Sequence, residues 1–259
     1  MRNLVATLLV AGVAALASAA DGAVPRATPV YGYAVVATRP HDQGSFTEGL
    51  AYQQGYLIES SGLRSSLRRV ALRTGRVVRR VDLAPRYFGE GATVLGGRIY
   101  QLTWQQHTAF VYDLRTFKRI KTFRYAGEGW GLADDGKNLI MSDGSATITF
   151  RDPRTFAVRR RIVVADAGER VSALNELEVV RGRVCANVFG ADRIACFDPH
   201  TGEVRYWIDL TGLFPPEQRS DEQAVLNGIA YDAKRRRLFV TGKLWPRLYQ
   251  IRLVRAATV

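Results

Sequence analysis

Glu48-Gly49-Leu50-Ala51-Tyr52, Glu90-Gly91-Ala92-Thr93-Val94, Trp130-Gly131-Leu132-Ala133, Asn175-Glu176-Leu177-Glu178-Val179 and Asn227-Gly228-Ile229-Ala230-Tyr231 are versions of one segment. Each opens on a polar or aromatic residue, passes through Gly-Leu or an equivalent, and continues as an alternating strand. They recur roughly every 40–50 residues, the spacing of a repeat architecture. A turn and a second strand follow each one: Tyr56–Ser60, Arg98–Leu102, Asn138–Ser142, Arg183–Asn187 and Arg237–Thr241. The turns carry Gly55, Gly96-Gly97, Asp135-Gly136, Gly182 and Lys234-Arg235, and Gly and Asp there suit tight hairpins. A further turn joins a third and a fourth strand, at Arg73-Thr74-Gly75, Arg115-Thr116-Phe117, Arg154-Thr155-Phe156 and His200-Thr201-Gly202.

Four strands per repeat, five times over, predict an all-β chain folded as a five-bladed β-propeller. The last repeat stops near Leu253 after three strands, while Tyr31–Thr38 is a strand without a repeat of its own. That N-terminal strand is expected to complete the fifth blade and remove the open edge. The mature chain shows no sustained helical stripe at i, i+3, i+4, i+7.

Working outward, residues 1–20 have a basic start at Arg2, an apolar run from Leu4 to Ala20 and an Ala17-Ser18-Ala19 exit. This is the pattern of a secretory signal peptide, and the run is short of the ~20 residues that a spanning helix needs. The expected organisation is a signal peptide over 1–20, a linker over 21–30 and a single propeller domain over 31–259. The mature protein is expected to be secreted or periplasmic, with no membrane contact after cleavage.

The 259 residues include 37 Lys and Arg against 24 Asp and Glu, a net charge of +13. The basic residues are spread along the chain at Arg68-Arg69, Arg79-Arg80, Arg159–Arg161 and Lys234–Arg237, with no recognition helix or RNA-binding motif beside them. They read as a solvated outer surface, and no nucleic-acid partner is expected. Three separated histidines and two cysteines supply neither an HExxH helix nor a four-cysteine zinc site, so no cofactor or metal is expected. A hairpin centred between Gly190 and Ala191 sets Cys185 directly opposite Cys196, and export permits a disulfide there; two reduced, buried thiols are the alternative. A closed ring exposes no obvious partner edge, which makes a monomer the default.

The first strands of a propeller line its channel, so Glu48, Glu90, Trp130, Asn175 and Asn227 should gather on one face around it. Two carboxylates, an indole and two carboxamides there would hold a small ligand and move its protons. Each taken singly has a plainer role, tying down a turn.

The wording of these segments also resembles a known family. His41-Asp42 with Phe46-Thr47-Glu48-Gly49-Leu50, Gly89-Glu90-Gly91, Gln101-Leu102-Thr103-Trp104, Glu128-Gly129-Trp130-Gly131-Leu132, Leu174–Glu178, Leu226–Ala230 and Thr241-Gly242-Lys243-Leu244-Trp245-Pro246 occur in order. Over Tyr31 to Leu253 the chain is similar to the plant and bacterial type of glutaminyl-peptide cyclotransferase, the glutamine cyclotransferase family. The resemblance implies a five-bladed propeller that converts the N-terminal glutamine of peptides or proteins to pyroglutamate and releases ammonia. It implies Glu90 as general acid and base, and Lys243 and Asn175 as polar active-site residues, which we assign to the substrate's carbonyl and carboxamide oxygens. Trp130 is then an aromatic wall, and Glu48, Phe189 and Asn227 complete the substrate site. Two residues depart from the pattern. Glu48 stands where the family carries Gln, which adds a second carboxylate able to bind an ammonium or to raise the pKa of Glu90. Phe189 stands where a Trp follows Ala-Asn-Val, keeping the apolar wall without the indole N–H. The rival readings are a non-catalytic exported binding scaffold and a propeller hydrolase whose channel metal is held by Glu48, Glu90, Asn175 and Asn227.

Overall fold

The computed structural model describes residues 27–219 and 221–255. The segment expected as a signal peptide, residues 1–20, lies outside that range. The described chain is all-β apart from one short 3-10 turn at Pro216–Gln218.

An opening strand, β1 (Val30–Pro40), precedes a series of antiparallel meanders. The first consists of β2 (Thr47–Gln53), β3 (Tyr56–Ser61), β4 (Ser66–Ala71) and β5 (Val77–Asp82). The second is β6 (Gly89–Leu95), β7 (Arg98–Thr103), β8 (Thr108–Asp113) and β9 (Arg119–Arg124). The third is β10 (Leu132–Asp134), β11 (Leu139–Met141), β12 (Thr147–Arg151) and β13 (Val158–Val163). A small hairpin of β14 (Ala165–Asp166) and β15 (Glu169–Arg170) follows. The fourth meander is β16 (Leu174–Val180), β17 (Arg183–Val188), β18 (Arg193–Phe197) and β19 (Val204–Asp209). The last has three strands of its own, β20 (Leu226–Asp232), β21 (Arg237–Gly242) and β22 (Arg247–Arg255).

The opening strand supplies the missing edge. β1 pairs antiparallel with β22 from Tyr31↔Arg255 to Pro40↔Arg247. It also meets β19 in parallel at Val30↔Trp207 and Tyr31↔Ile208, which joins the fourth and fifth meanders into one eight-stranded sheet. The linker expected over 21–30 is corrected here. Val30 already belongs to β1, Trp207 N–H donates to Pro29 O at 2.9 Å, and the Thr28 hydroxyl donates to Asp166. Residues 21–26 lie outside the described range.

The first strands touch in cyclic order: β2 to β6, β6 to β10, β10 to β16, β16 to β20 and β20 back to β2. Hydrophobic clusters fill the spaces between consecutive sheets. Ile58 and Leu67 meet Ile99 and Phe110; Leu102 and Val111 meet Leu132 and Leu139; Ile140 and Phe150 meet Leu177 and Phe197. Ile194 and Ile208 meet Ile229 and Val240, and Leu50 and Leu57 meet Ala230 and Phe239, which packs the last sheet on the first.

At the axis the backbones come too close for side chains. A Cβ on Gly49 would stand 2.3 Å from Ala92 N, one on Gly91 2.4 Å from Leu132 N, and one on Gly131 2.0 Å from Asn175 O. This explains the Gly in the repeated segment. The fourth repeat has Glu176 instead, and its carboxylate crosses the axis to accept Leu50 N–H at 3.2 Å and Ile229 N–H at 2.8 Å.

Candidate active site

Four of the five aligned residues sit where their strands break register, while Trp130 lies two residues ahead of β10. Pairing of β2 with β3 shifts between Thr47 and Gly49, and of β6 with β7 between Gly89 and Ala92. Pairing of β16 with β17 shifts between Leu174 and Leu177, and of β20 with β21 between Leu226 and Ile229. Glu48, Glu90, Asn175 and Asn227 therefore occupy bulges just inside their strands rather than positions ahead of them. A bulge frees a side chain from the up-down alternation of the sheet and re-aims it.

Glu48 is the hub. Lys243 Nζ donates to its Oε1 at 2.7 Å, and Asn227 Nδ2 donates to its Oε2 at 3.1 Å and to Thr47 O at 2.9 Å. All three residues are buried. Burial pushes the Glu48 carboxyl up to about 7, although Lys243 pulls the other way.

Glu90 is also buried and makes no side-chain hydrogen bond among the described residues. Burial raises its pKa well above the ordinary carboxylate value; repulsion from Glu48 and from Glu128 adds to this, and Lys243 opposes it. Glu48 thus acts on Glu90 in the direction anticipated from the sequence. Its bond to Lys243 means that it is not a free anion awaiting an ammonium.

Around these carboxylates runs a closed collar. The Phe46 and Phe88 rings are 6.2 Å apart, and Phe88 and Trp104 are 5.8 Å apart. Trp104 and Trp130 both donate their indole N–H to Glu128 Oε2, at 2.7 and 2.9 Å. Trp130 meets Phe189 edge-on at 5.9 Å. Lys243 Nζ closes the circle, 5.3 Å from the Phe189 ring and 4.5 Å from the Phe46 ring. Trp104 and Phe189 are exposed at 37% and 47%, so this end opens to solvent. Glu128 is held below the usual carboxylate range by hydrogen bonds from Trp130 and Gln105 and stays ionised.

Among the described residues, two buried carboxamide oxygens lack partners: Oδ1 of Asn175 and Oδ1 of Asn227. An unpaired buried carbonyl oxygen is costly and asks for a donor. The orphan on Asn175 is an acceptor, which suits a substrate N–H.

Sequence reasoning missed the supports. His41 Nδ1 lies 2.7 Å from Trp245 O and Nε2 lies 2.9 Å from Glu59 Oε1. Both partners are acceptors, so both ring nitrogens donate and the imidazole is charged. Burial opposes that charge, but Glu59 outweighs it and the His41 pKa is raised. Glu59 also accepts from Arg68 at 2.7 Å, Ser45 at 2.7 Å and Thr47 at 2.8 Å. This network ties the start of β2, which carries Glu48, to the loop after β21, which carries Lys243. His41 and Thr47 stood in the quoted motifs, yet only Glu59, on the partner strand, shows why they matter. Glu128 was equally visible beside Trp130 without a role.

The two cysteines stand opposite each other in the β17–β18 register and are joined as a disulfide. Among the described residues, no group of three or more His, Cys, Asp or Glu side chains is placed to hold a metal ion.

The chain's relatives agree with this architecture. A family model described as glutamine cyclotransferase matches residues 4–253, and the chain belongs to that family. A glutaminyl-peptide cyclotransferase of Arabidopsis thaliana is 46% identical over 229 residues, covering 86% of this chain and 72% of the relative. The crystal structure of Myxococcus xanthus glutaminyl cyclase superposes with a TM-score of 0.85 at 36% identity, over 88% of this chain and 99% of that one.

Proposed function

We propose that this chain is a metal-independent glutaminyl-peptide cyclotransferase, an aminoacyl-type acyltransferase built on a five-bladed β-propeller that β1 closes. The cyclic contacts of the first strands and the apolar cluster between last and first sheets support the propeller. The observation that carries the function is the unpartnered Glu90 carboxyl, beside the Glu48–Lys243 pair and two orphan carboxamide oxygens, inside an aromatic collar. A scaffold gains nothing from leaving buried acceptors unpaired.

In the reaction the α-amine of an N-terminal glutamine attacks its own side-chain carboxamide carbon. The new C–N bond closes a five-membered ring, the C–NH2 bond breaks, and the nitrogen leaves as ammonia. No redox partner is needed, and one proton moves from the attacking to the leaving nitrogen. Because attack is intramolecular, holding the glutamine in its ring-closing conformer supplies much of the acceleration, and the collar is shaped for that. Glu90 takes the amine proton and returns it to the departing nitrogen, roles that its raised pKa suits. The N–H groups of Lys243 not engaged by Glu48 face the developing oxyanion. Asn175 and Asn227 accept from the amine and carboxamide N–H groups.

The Arg2 to Ala20 pattern and the Cys185–Cys196 disulfide support export of the mature chain. The deciding test is ammonia release from a short glutamine-initiated peptide by chelator-treated protein, beside a Glu90→Gln variant. Release by the native protein alone supports the reading. No release from folded native protein overturns it.

A further inference from the structure

Beside the collar lies a groove of about 680 Å³ between the loops that follow β3 and β5 and the loop after β7. Two collar residues, Phe88 and Trp104, form one of its walls. A peptide whose first residue is held inside the collar leaves over its rim, and the groove adjoins that rim at Phe88 and Trp104. Arg64, Arg80 and Arg86 line it, and its single lining carboxylate, Asp82, is ion-paired to Arg80. Neither Arg64 nor Arg86 has a carboxylate partner among the described residues, and both are exposed; Arg86 lies 4.7 Å over the Tyr87 ring and donates to the Tyr87 hydroxyl at 3.4 Å. The larger hollow, of about 940 Å³, includes no collar aromatic among its lining residues, carries Asp166, Glu169, Asp192 and Asp209, and already holds Thr28 against Asp166.

Resting on the cyclotransferase reading, we propose that this groove receives the residues that follow the substrate's glutamine, and that it selects peptides with an acidic side chain among them. Phe88 and Trp104 pack on the residue next to the glutamine, and Arg64 and Arg86 pair with a carboxylate beyond it. The discrimination is electrostatic and half-exposed, so it is modest and sensitive to salt.

The experiment compares kcat/KM for three peptides, Gln-Ala-Glu-Ala-amide, Gln-Ala-Ala-Ala-amide and Gln-Ala-Lys-Ala-amide, by ammonia release. The expected order is Glu over Ala over Lys, with roughly a three- to tenfold span between the ends carried mainly by KM. The span should narrow at high salt and reverse in an Arg64→Glu, Arg86→Glu double variant whose melting temperature is unchanged. Equal turnover of the three peptides by the native protein overturns the groove assignment and leaves the cyclotransferase reading standing. Failure of all three to release ammonia overturns that reading and this one with it. If the double variant does not fold, the native ratio and its salt dependence decide alone.

Discussion

Replacing Glu90 by Gln should cost activity and add stability, and the two effects can be separated by pH. The carboxyl is buried beside Glu48 and Glu128, and its folded-state pKa is raised well above the ordinary value near 4.5. A raised carboxylate pKa means that the folded protein holds a proton which the unfolded chain releases. Between the ordinary pKa and the raised one, stability therefore falls as pH rises, with a limiting slope of about 1.4 kcal/mol per pH unit. Gln keeps the size of the side chain and removes the titration. From pH 5 to pH 7 the variant should gain on the native protein by up to ~2.7 kcal/mol. For a chain of this size that is a relative rise of roughly 5–10 °C in melting temperature. Loss of a general acid and base should meanwhile lower kcat by about 10²- to 10⁴-fold. Thermal melts at pH 5, 6 and 7, run beside ammonia-release kinetics, test both. A variant less stable than the native protein at every pH would refute the reasoning, because Glu90 would then be a structural group whose loss damages the site.

Three further outcomes follow from the geometry. Glu48→Gln removes a repulsive neighbour of Glu90 and leaves Lys243 unopposed, so the acid limb of the pH–rate profile should move to lower pH; a pH series on short substrates reads it. Gly131→Ala sets a Cβ 2.0 Å from Asn175 O, a backbone atom that cannot yield, and should cost about 3 kcal/mol or more in denaturant melts. Replacing Cys185 and Cys196 together by Ala frees a loop closed over a separation of 11 residues and should cost about 2–3 kcal/mol, a loss that reducing agent reproduces in the native protein.

Much of the fold was legible because two signals coincide. Strand alternation and turn glycines give the meanders, and Tyr31–Thr38 as an unassigned strand pointed to β22 as its partner. The eight-stranded sheet was not legible. The β1–β19 contact depends on where the chain lies after the ring has formed, and nothing in Val30 or Trp207 announces it. The site divides in the same way. Glu48, Glu90, Trp130, Asn175 and Asn227 were marked by their place in the repeat, and the bulges that aim the four other than Trp130 are local. Lys243 and Phe189 lie outside the repeated segment and came from motif resemblance alone. Glu59, Arg68 and Glu128 act through partners 18 to 26 residues away or through a shared indole pair, and no period in the sequence encodes such contacts. The Gly of the repeat was visible without a role, and its cause is the crowding of first strands at the axis. Glu176 shows this most clearly, since it breaks the pattern and its carboxylate bonds to two neighbouring backbones in place of that close approach.

The pairing of β1 with β22 also governs the order of events during synthesis. Val30–Pro40 precedes its antiparallel partner Arg247–Arg255 by about 200 residues and is made first. Until Arg247–Arg255 arrives, β1 has no edge for its long pairing, and the final sheet lacks its outer strand. Closing a loop of that length is slow and entropically unfavourable, so the ring cannot lock while either end is still held elsewhere. The last seam therefore closes only once β1 and β22 are both free to meet.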